Sequence, residues 1–266
     1  MRRFFTFIAV IISIIFLFAG HTYWKHKTTS INVEKTSVKD AASSTSKEKK
    51  QAGESKTDEE KLAKAANWPE NAQAAFEKAM LNKQPLKLAI VGSKALGEEA
   101  NGWSVQLQNV LADTYGDTLD VKIFQHEEQS DQFIASGHDK EVAKFQPDIV
   151  LFEPFTLNDN GSVKAEDSHE NIRSFISAVQ KEKEGAVVIL QPPHPIHNAT
   201  YYPLEVEALE KFAGDNNLPF LNHWAKWPAV ENEQLRSYLL EDQSAPNEKG
   251  HEIWFTYLKE YFIADA

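Results

Sequence analysis

Beyond residue 86 the chain alternates short, mostly apolar runs with longer amphipathic ones. Runs at 86–91, 119–124, 148–152, 186–191 and 218–221 have the length and apolar character of buried strands. Between and after them, apolar residues recur at helical spacing around 103–115, 130–145, 168–183, 203–216 and 247–262. Strands this apolar are covered on both faces. Their alternation with helices predicts a mostly parallel sheet of about five strands in a three-layer α/β/α arrangement with right-handed crossovers. In such a sheet, ligands bind beyond the carboxyl ends of the strands, so chemistry is sought there.

The first 85 residues read differently. Arg2 and Arg3 precede an apolar run over 4–20, about the length that crosses a bilayer, and Tyr23 and Trp24 follow at interfacial positions. The segment 1–24 is expected to be an uncleaved signal anchor, a transmembrane helix. Residues 25–64 are rich in Lys, Ser, Thr and Glu and poor in large apolar side chains, which predicts a disordered tether. Helical character over 59–83, interrupted at Pro69, leads into a domain spanning 65–266 with its core at about 86–263. The chain has no cysteine, which excludes disulfides, thiolate metal ligands and a lipid-modified cysteine. Residues 67–266 hold 16 Lys and Arg against 32 Asp and Glu, so nucleic acid is not an expected partner. The expected location is the cell membrane, single-pass, with the domain extracytoplasmic.

Five segments carry candidate chemistry. Ser93 follows the first strand in Gly92-Ser93-Lys94-Ala95-Leu96-Gly97, where Gly92 permits a tight exit. Glu153 to Gly161 follows the third strand and contains Asn158-Asp159. Gln191 to His197 follows the fourth, and His223 follows the fifth. Near the carboxyl terminus lies Asp242-Gln243-Ser244-Ala245-Pro246-Asn247-Glu248-Lys249-Gly250-His251. Taken singly, these could be a turn, rim histidines and a helix N-cap at Asn247. The histidines at 194, 197 and 223 also raise a zinc site as a minor alternative, though their spacing lacks a carboxylate partner. Trp103, Tyr201, Tyr202, Trp224 and Trp227 are candidate rim aromatics for stacking on sugars, or ordinary core residues.

In their order and spacing these segments resemble the SGNH/GDSL hydrolase family, over about residues 86–263. The resemblance implies a flavodoxin-like α/β/α fold and ester hydrolysis. Val91–Gly97 is similar to the family's G-D-S-x-x-x-G block, with the nucleophile at Ser93 and Gly92 in place of the aspartate. Thr156–Asp159 is similar to G-x-N-D, which makes Asn158 an oxyanion donor beside the Ser93 N–H. Asp242–His251 matches D-x-x-H followed by P-N-x-x-G-H, except that Ala245 stands where the family has its catalytic histidine. No glycine occupies the expected second block near 126–130. Asp242 would orient a base. His251, His194, His197 and His223 are the imidazoles available to replace the missing one, although His251 lies nearly two helical turns, about 9 Å, beyond Ala245.

The expected function is therefore a membrane-tethered serine esterase with Ser93, Asn158, Asp242 and His251 as site residues. Its substrate would be a small-molecule or polysaccharide ester, with no cofactor and no metal. The competing expectation is a binding or scaffolding domain on the same fold, disabled by Ala245, because a serine triad without its base loses orders of magnitude in rate.

Overall fold

A computed structural model describes residues 57–97 and 99–265. The expected anchor, and the tether up to residue 56, lie outside the described residues. Among the described residues no helix is long and apolar enough to cross a membrane. Helix α1 covers 57–64, so the last part of the stretch expected to be a tether is helical instead. Ala65 is buried and the Lys64 carbonyl accepts from Ala264 N–H, which joins this lead-in to the domain. Pro69 separates α1 from α2, Glu70–Leu81, as its missing N–H and fixed φ require.

The sheet has four strands, not five: β1 Leu86–Gly92, β2 Leu119–Gln125, β3 Ile149–Phe152 and β4 Val187–Leu190, in the order β2-β1-β3-β4 and all parallel. The expected fifth strand is reduced to a single parallel bridge between Leu190 and Phe220. Pro219 has no N–H to donate, so the segment pairs only through its carbonyl and the Leu221 N–H. Between the strands lie α3 Trp103–Tyr115, α4 Ser130–Ala135, α5 His138–Lys144, α6 Thr156–Asp159, α7 Ala165–Glu182 and α8 Tyr202–Asp215, and α9 Glu248–Phe262 closes the domain. The single helix expected over 130–145 is broken at Gly137, whose φ of 80° ends α4 and redirects the chain into α5.

Alternation along the strands builds two cores. Leu86, Leu88, Ile90, Leu151 and Ile189 face Trp103, Leu107, Trp254 and Leu258 of α3 and α9, with Trp68 and Phe76 extending that layer. Ala89, Val91, Val150, Phe152 and Leu190 face Phe133, Phe175, Val179 and Phe212 on the opposite side. These two covered faces are the α/β/α layering the sequence implied. The α9 end of the first core depends on a cap: Asn247 Oδ1 accepts from Lys249 and Gly250 N–H, and its Nδ2 donates to the Ser237 and Leu239 carbonyls. Asn247→Ala removes all four bonds. It is expected to lower unfolding stability by about 1–2 kcal/mol, measured by urea denaturation.

The register sets the carboxyl ends level. Gly92 pairs with Gln125, Val91 with Phe152, and Phe152 with Leu190. The residues that leave the sheet there are His126, Ser93, Glu153 and Gln191, side by side in that spatial order. Backbone bonds His126 N–H to Gly92 O (2.9 Å), Glu153 N–H to Val91 O (2.9 Å) and Gln191 N–H to Phe152 O (3.0 Å) carry the pairing one residue further.

Candidate active site

Ser93 is 2% exposed and stands where β1 gives way to the 3-10 turn Lys94–Leu96. Its Oγ accepts from Ala95 N–H at 3.2 Å, capping that turn. Its own N–H donates to Glu153 Oε2 at 2.7 Å, and the hydroxyl also bears on that carboxyl. Glu153 is fully buried at the end of the adjacent strand. Burial pushes its pKa up to about 7, against the opposing pull of the Ser93 hydroxyl, the Ser93 N–H and the Phe155 N–H. Phe155 donates to Oε1 at 3.1 Å from a left-handed conformation (φ 62°), a strained geometry for a bulky side chain.

Gly92 explains the close approach. A Cβ there would meet Glu153 Cβ and Oε2, both at 2.8 Å. The Glu153 side chain thus fills the space that a side chain at position 92 would need. The family block carries an aspartate at position 92. Here a carboxylate reaches the same corner of the nucleophile from the neighbouring strand. Sequence reasoning passed over Glu153, although an acidic residue directly after an apolar strand, one strand from Ser93, was a usable signal.

Asn158 is not free to hold an oxyanion. Both N–H groups of its side chain are spent, donating to the Glu127 carbonyl (3.1 Å) and the Glu128 carbonyl (2.9 Å). Asp159 Oδ1 accepts from Ser130 N–H at 2.8 Å. The Asn-Asp pair therefore staples the loop after β2. The Ser93 N–H, the second expected oxyanion donor, is likewise engaged by Glu153. Asp242 is solvent-exposed, and its Oδ1 caps the Ser244 N–H at 3.0 Å, which holds its carboxyl below the usual range. With no imidazole at 245, the carboxylate has turned to its own loop. The Lys94 charge acts in the same direction on Asp242, lowering its pKa further, and also lowers that of His194.

The four histidines differ in what they can do. His223 has both nitrogens committed: Nε2–H donates to Pro192 O (2.8 Å), Nδ1 accepts from Trp227 Nε1–H (3.0 Å), and the ring stacks on Trp254. It is a core histidine, held neutral by burial with a pKa of about 3. His251 Nδ1 accepts from Trp103 N–H (3.3 Å), so its proton sits on Nε2, and its ring packs where a Cβ at Gly97 would be. Burial lowers its pKa to about 4. His194 Nε2–H donates to the Gln243 carbonyl (3.0 Å), leaving a buried Nδ1 without a partner, and burial lowers its pKa to about 4. His197 is buried, with Nε2 3.7 Å from Glu233 Oε1. None of the four has a hydrogen bond to Ser93 among the described residues. The titratable side chain that hydrogen-bonds to Ser93 among the described residues is Glu153. Of the candidate rim aromatics, Trp103, Tyr202 and Trp227 are core residues, whereas Tyr201 is 73% exposed.

A parallel sheet with the serine at the end of β1, helices on both faces and a carboxyl-terminal helix capped by Pro246-Asn247 has many solved counterparts. A GDSL-like lipase from Bacteroides thetaiotaomicron superposes with a TM-score of 0.51 at 18% identity, covering 71% of this chain and 97% of its own. The chain has the SGNH/GDSL hydrolase fold. A psychrotrophic esterase from Pseudoalteromonas sp. (TM-score 0.52, 16% identity, 66% of this chain and 95% of that one) is similar, as is an acetylxylan esterase from Geobacillus stearothermophilus (0.51, 14%, 66% and 94%). No protein-family profile matches the sequence, and no curated protein matches it. On this fold the chain keeps a serine at the end of β1, while position 92 is glycine, position 245 is alanine and the Asn158 amide is engaged by the Glu127 and Glu128 carbonyls.

Proposed function

We propose that this domain is an SGNH-type serine ester hydrolase in which Glu153 serves as the base. The observation that carries the reading is a fully buried carboxyl, pKa about 7, bonded to the backbone of Ser93 and within reach of its hydroxyl. A base whose pKa lies near the working pH combines a populated anionic form with useful proton affinity. In the reaction, Ser93 Oγ attacks the acyl carbon as its proton passes to Glu153. The leaving alkoxide takes that proton, and the acyl-serine remains. Water then attacks the acyl carbon, giving its proton to Glu153, and Glu153 passes that proton to Ser93 Oγ as the acyl–Oγ bond breaks, which frees the acid and restores both residues. The oxyanion requires a donor freed from its present partner, and the Ser93 N–H becomes available if Glu153 shifts on taking the proton.

The proposed substrate is a short O-acyl group on a carbohydrate of the cell envelope, met by a domain tethered outside the membrane. The acetylxylan esterase of the same fold and the apolar run over 4–20 support that reading. Release of acetate from acetylated xylan and turnover of a p-nitrophenyl ester are the tests. Ser93→Ala is expected to remove at least about 10³-fold of the rate. Turnover unchanged in that variant would refute the mechanism.

A second reading is favoured by two observations: the Asn158 amide is fully committed, and no described imidazole bonds to Ser93. On that reading the domain binds an envelope glycan without cleaving it. Retention of acetylated xylan by the full chain with no acetate released would favour it.

A further inference from the structure

The histidines at 194, 197 and 223 do not group as metal ligands; a different set does. His126 and Glu128, in the loop after β2, and His138, the first residue of α5, present donor atoms that all lie within 4.8 Å of one another. We propose that His126, Glu128 and His138 form a binding site for a zinc-type divalent ion.

Four features support the site. First, His126 Nε2 and Glu128 Oε2 are buried atoms with no hydrogen-bond partner, a costly state that a cation would relieve. Second, the two imidazoles lie side by side, ring centroids 4.1 Å apart, and His138 Nε2 is 3.4 Å from Glu128 Oε1. Ligands around a tetrahedral zinc with bonds of about 2.0–2.1 Å stand about 3.4 Å apart, so closure requires only small movements. Third, the outer positions are arranged as metal sites arrange them. His138 Nδ1 faces Glu141 Oε2 at 3.5 Å, which keeps the proton on Nδ1 and leaves Nε2 to bind. Fourth, the ligand loop is held from behind: Asn158 clamps the carbonyls of 127 and 128, Asp159 holds Ser130 N–H, and His126 N–H is pinned to Gly92 O. Two imidazoles and one carboxylate without thiolate suit zinc over the hard alkaline-earth ions, which prefer oxygen ligands. Glu128 and His138 are partly exposed, at 34% and 29% of their side chains, which gives an entry path and a fourth position for water.

The test is a Zn²⁺ titration of the chelator-treated full chain, by calorimetry and by competition with a chromogenic chelator. One equivalent is expected to bind and to raise the melting temperature. His126→Ala and His138→Ala are each expected to weaken binding at least about 100-fold. Glu141→Gln, which acts only through His138, should weaken it by about 10-fold. Glu128→Gln keeps the shape of the side chain and guards against a folding artefact; it should abolish the zinc-induced melting shift while the circular dichroism spectrum stays native. His169→Ala, on α7, should bind as wild type. Absence of stoichiometric binding overturns the proposal. So does wild-type affinity in both histidine variants, which would place the ion elsewhere.

Discussion

Glu153→Gln is expected to lower ester turnover by about 10²–10⁴-fold, the usual contribution of a positioned base, and to flatten the pH profile. In the wild type, the proposed activity should rise as the pH passes through about 7, where Glu153 loses its proton. The same substitution changes stability in the opposite sense. The carboxyl has an ordinary value of 4.5, raised to about 7 in the fold, so folding favours its neutral form. That contribution is fully present below about 4.5 and is lost as the pH rises through about 7. Each tenfold change in proton affinity is worth about 1.4 kcal/mol, so the stability lost is on the order of 3 kcal/mol. Glutamine has no proton to lose. Urea denaturation should therefore show the variant gaining on the wild type between pH 4.5 and 8. An equal difference at both pH values would mean that the carboxyl is not held neutral. A loss of rate without the stability gain would point to distortion around Ser93.

Ala245→His is expected to raise turnover at least about tenfold, a modest share of what a general base supplies. The position follows Asp242 by three residues, and the Asp242 carboxylate is exposed and accepts from Ser244 N–H within its own loop. An imidazole there gives Asp242 a ring to orient. The decisive comparison is the double variant Glu153→Gln, Ala245→His. If Glu153 is the base, the new histidine restores activity that the glutamine removed. If the wild type is already fast and Ala245→His changes neither background, some other group takes the proton, and alanine at His194 or His251 identifies it. His223 is not a candidate, because both of its nitrogens are engaged.

The layered fold was legible because β1, β3 and β4 are almost wholly buried and read as mostly apolar runs, whereas β2, at the edge, is only partly buried. The helix over 103–115 was legible because its buried residues keep helical spacing. The fifth strand failed for a local reason: an apolar run of four residues with Pro219 inside it offers too few donors for a ladder. Gly137 was read through as part of one helix, although only its left-handed backbone distinguishes a break from a tolerated glycine. At the site, the sequence placed Ser93 correctly at the end of β1. It could not say that the Asn158 amide faces the backbone of the next loop, since an amide donates equally well to an anion or a carbonyl. Nor could spacing along the chain bring His126 and His138 together, because that pairing comes from two turns of the main chain.

The contact between Gly92 and Glu153 makes these two positions exclusive. One corner beside the nucleophile has room for a single carboxylate, and it can be supplied from β1 or from β3 but not from both. Variation at one position is therefore conditional on the other: an acidic residue at 92 is admissible only once 153 has become small. A search keyed to the residue before the serine misses a chain whose carboxyl stands one strand to the side. A search keyed to the volume beside the serine finds it.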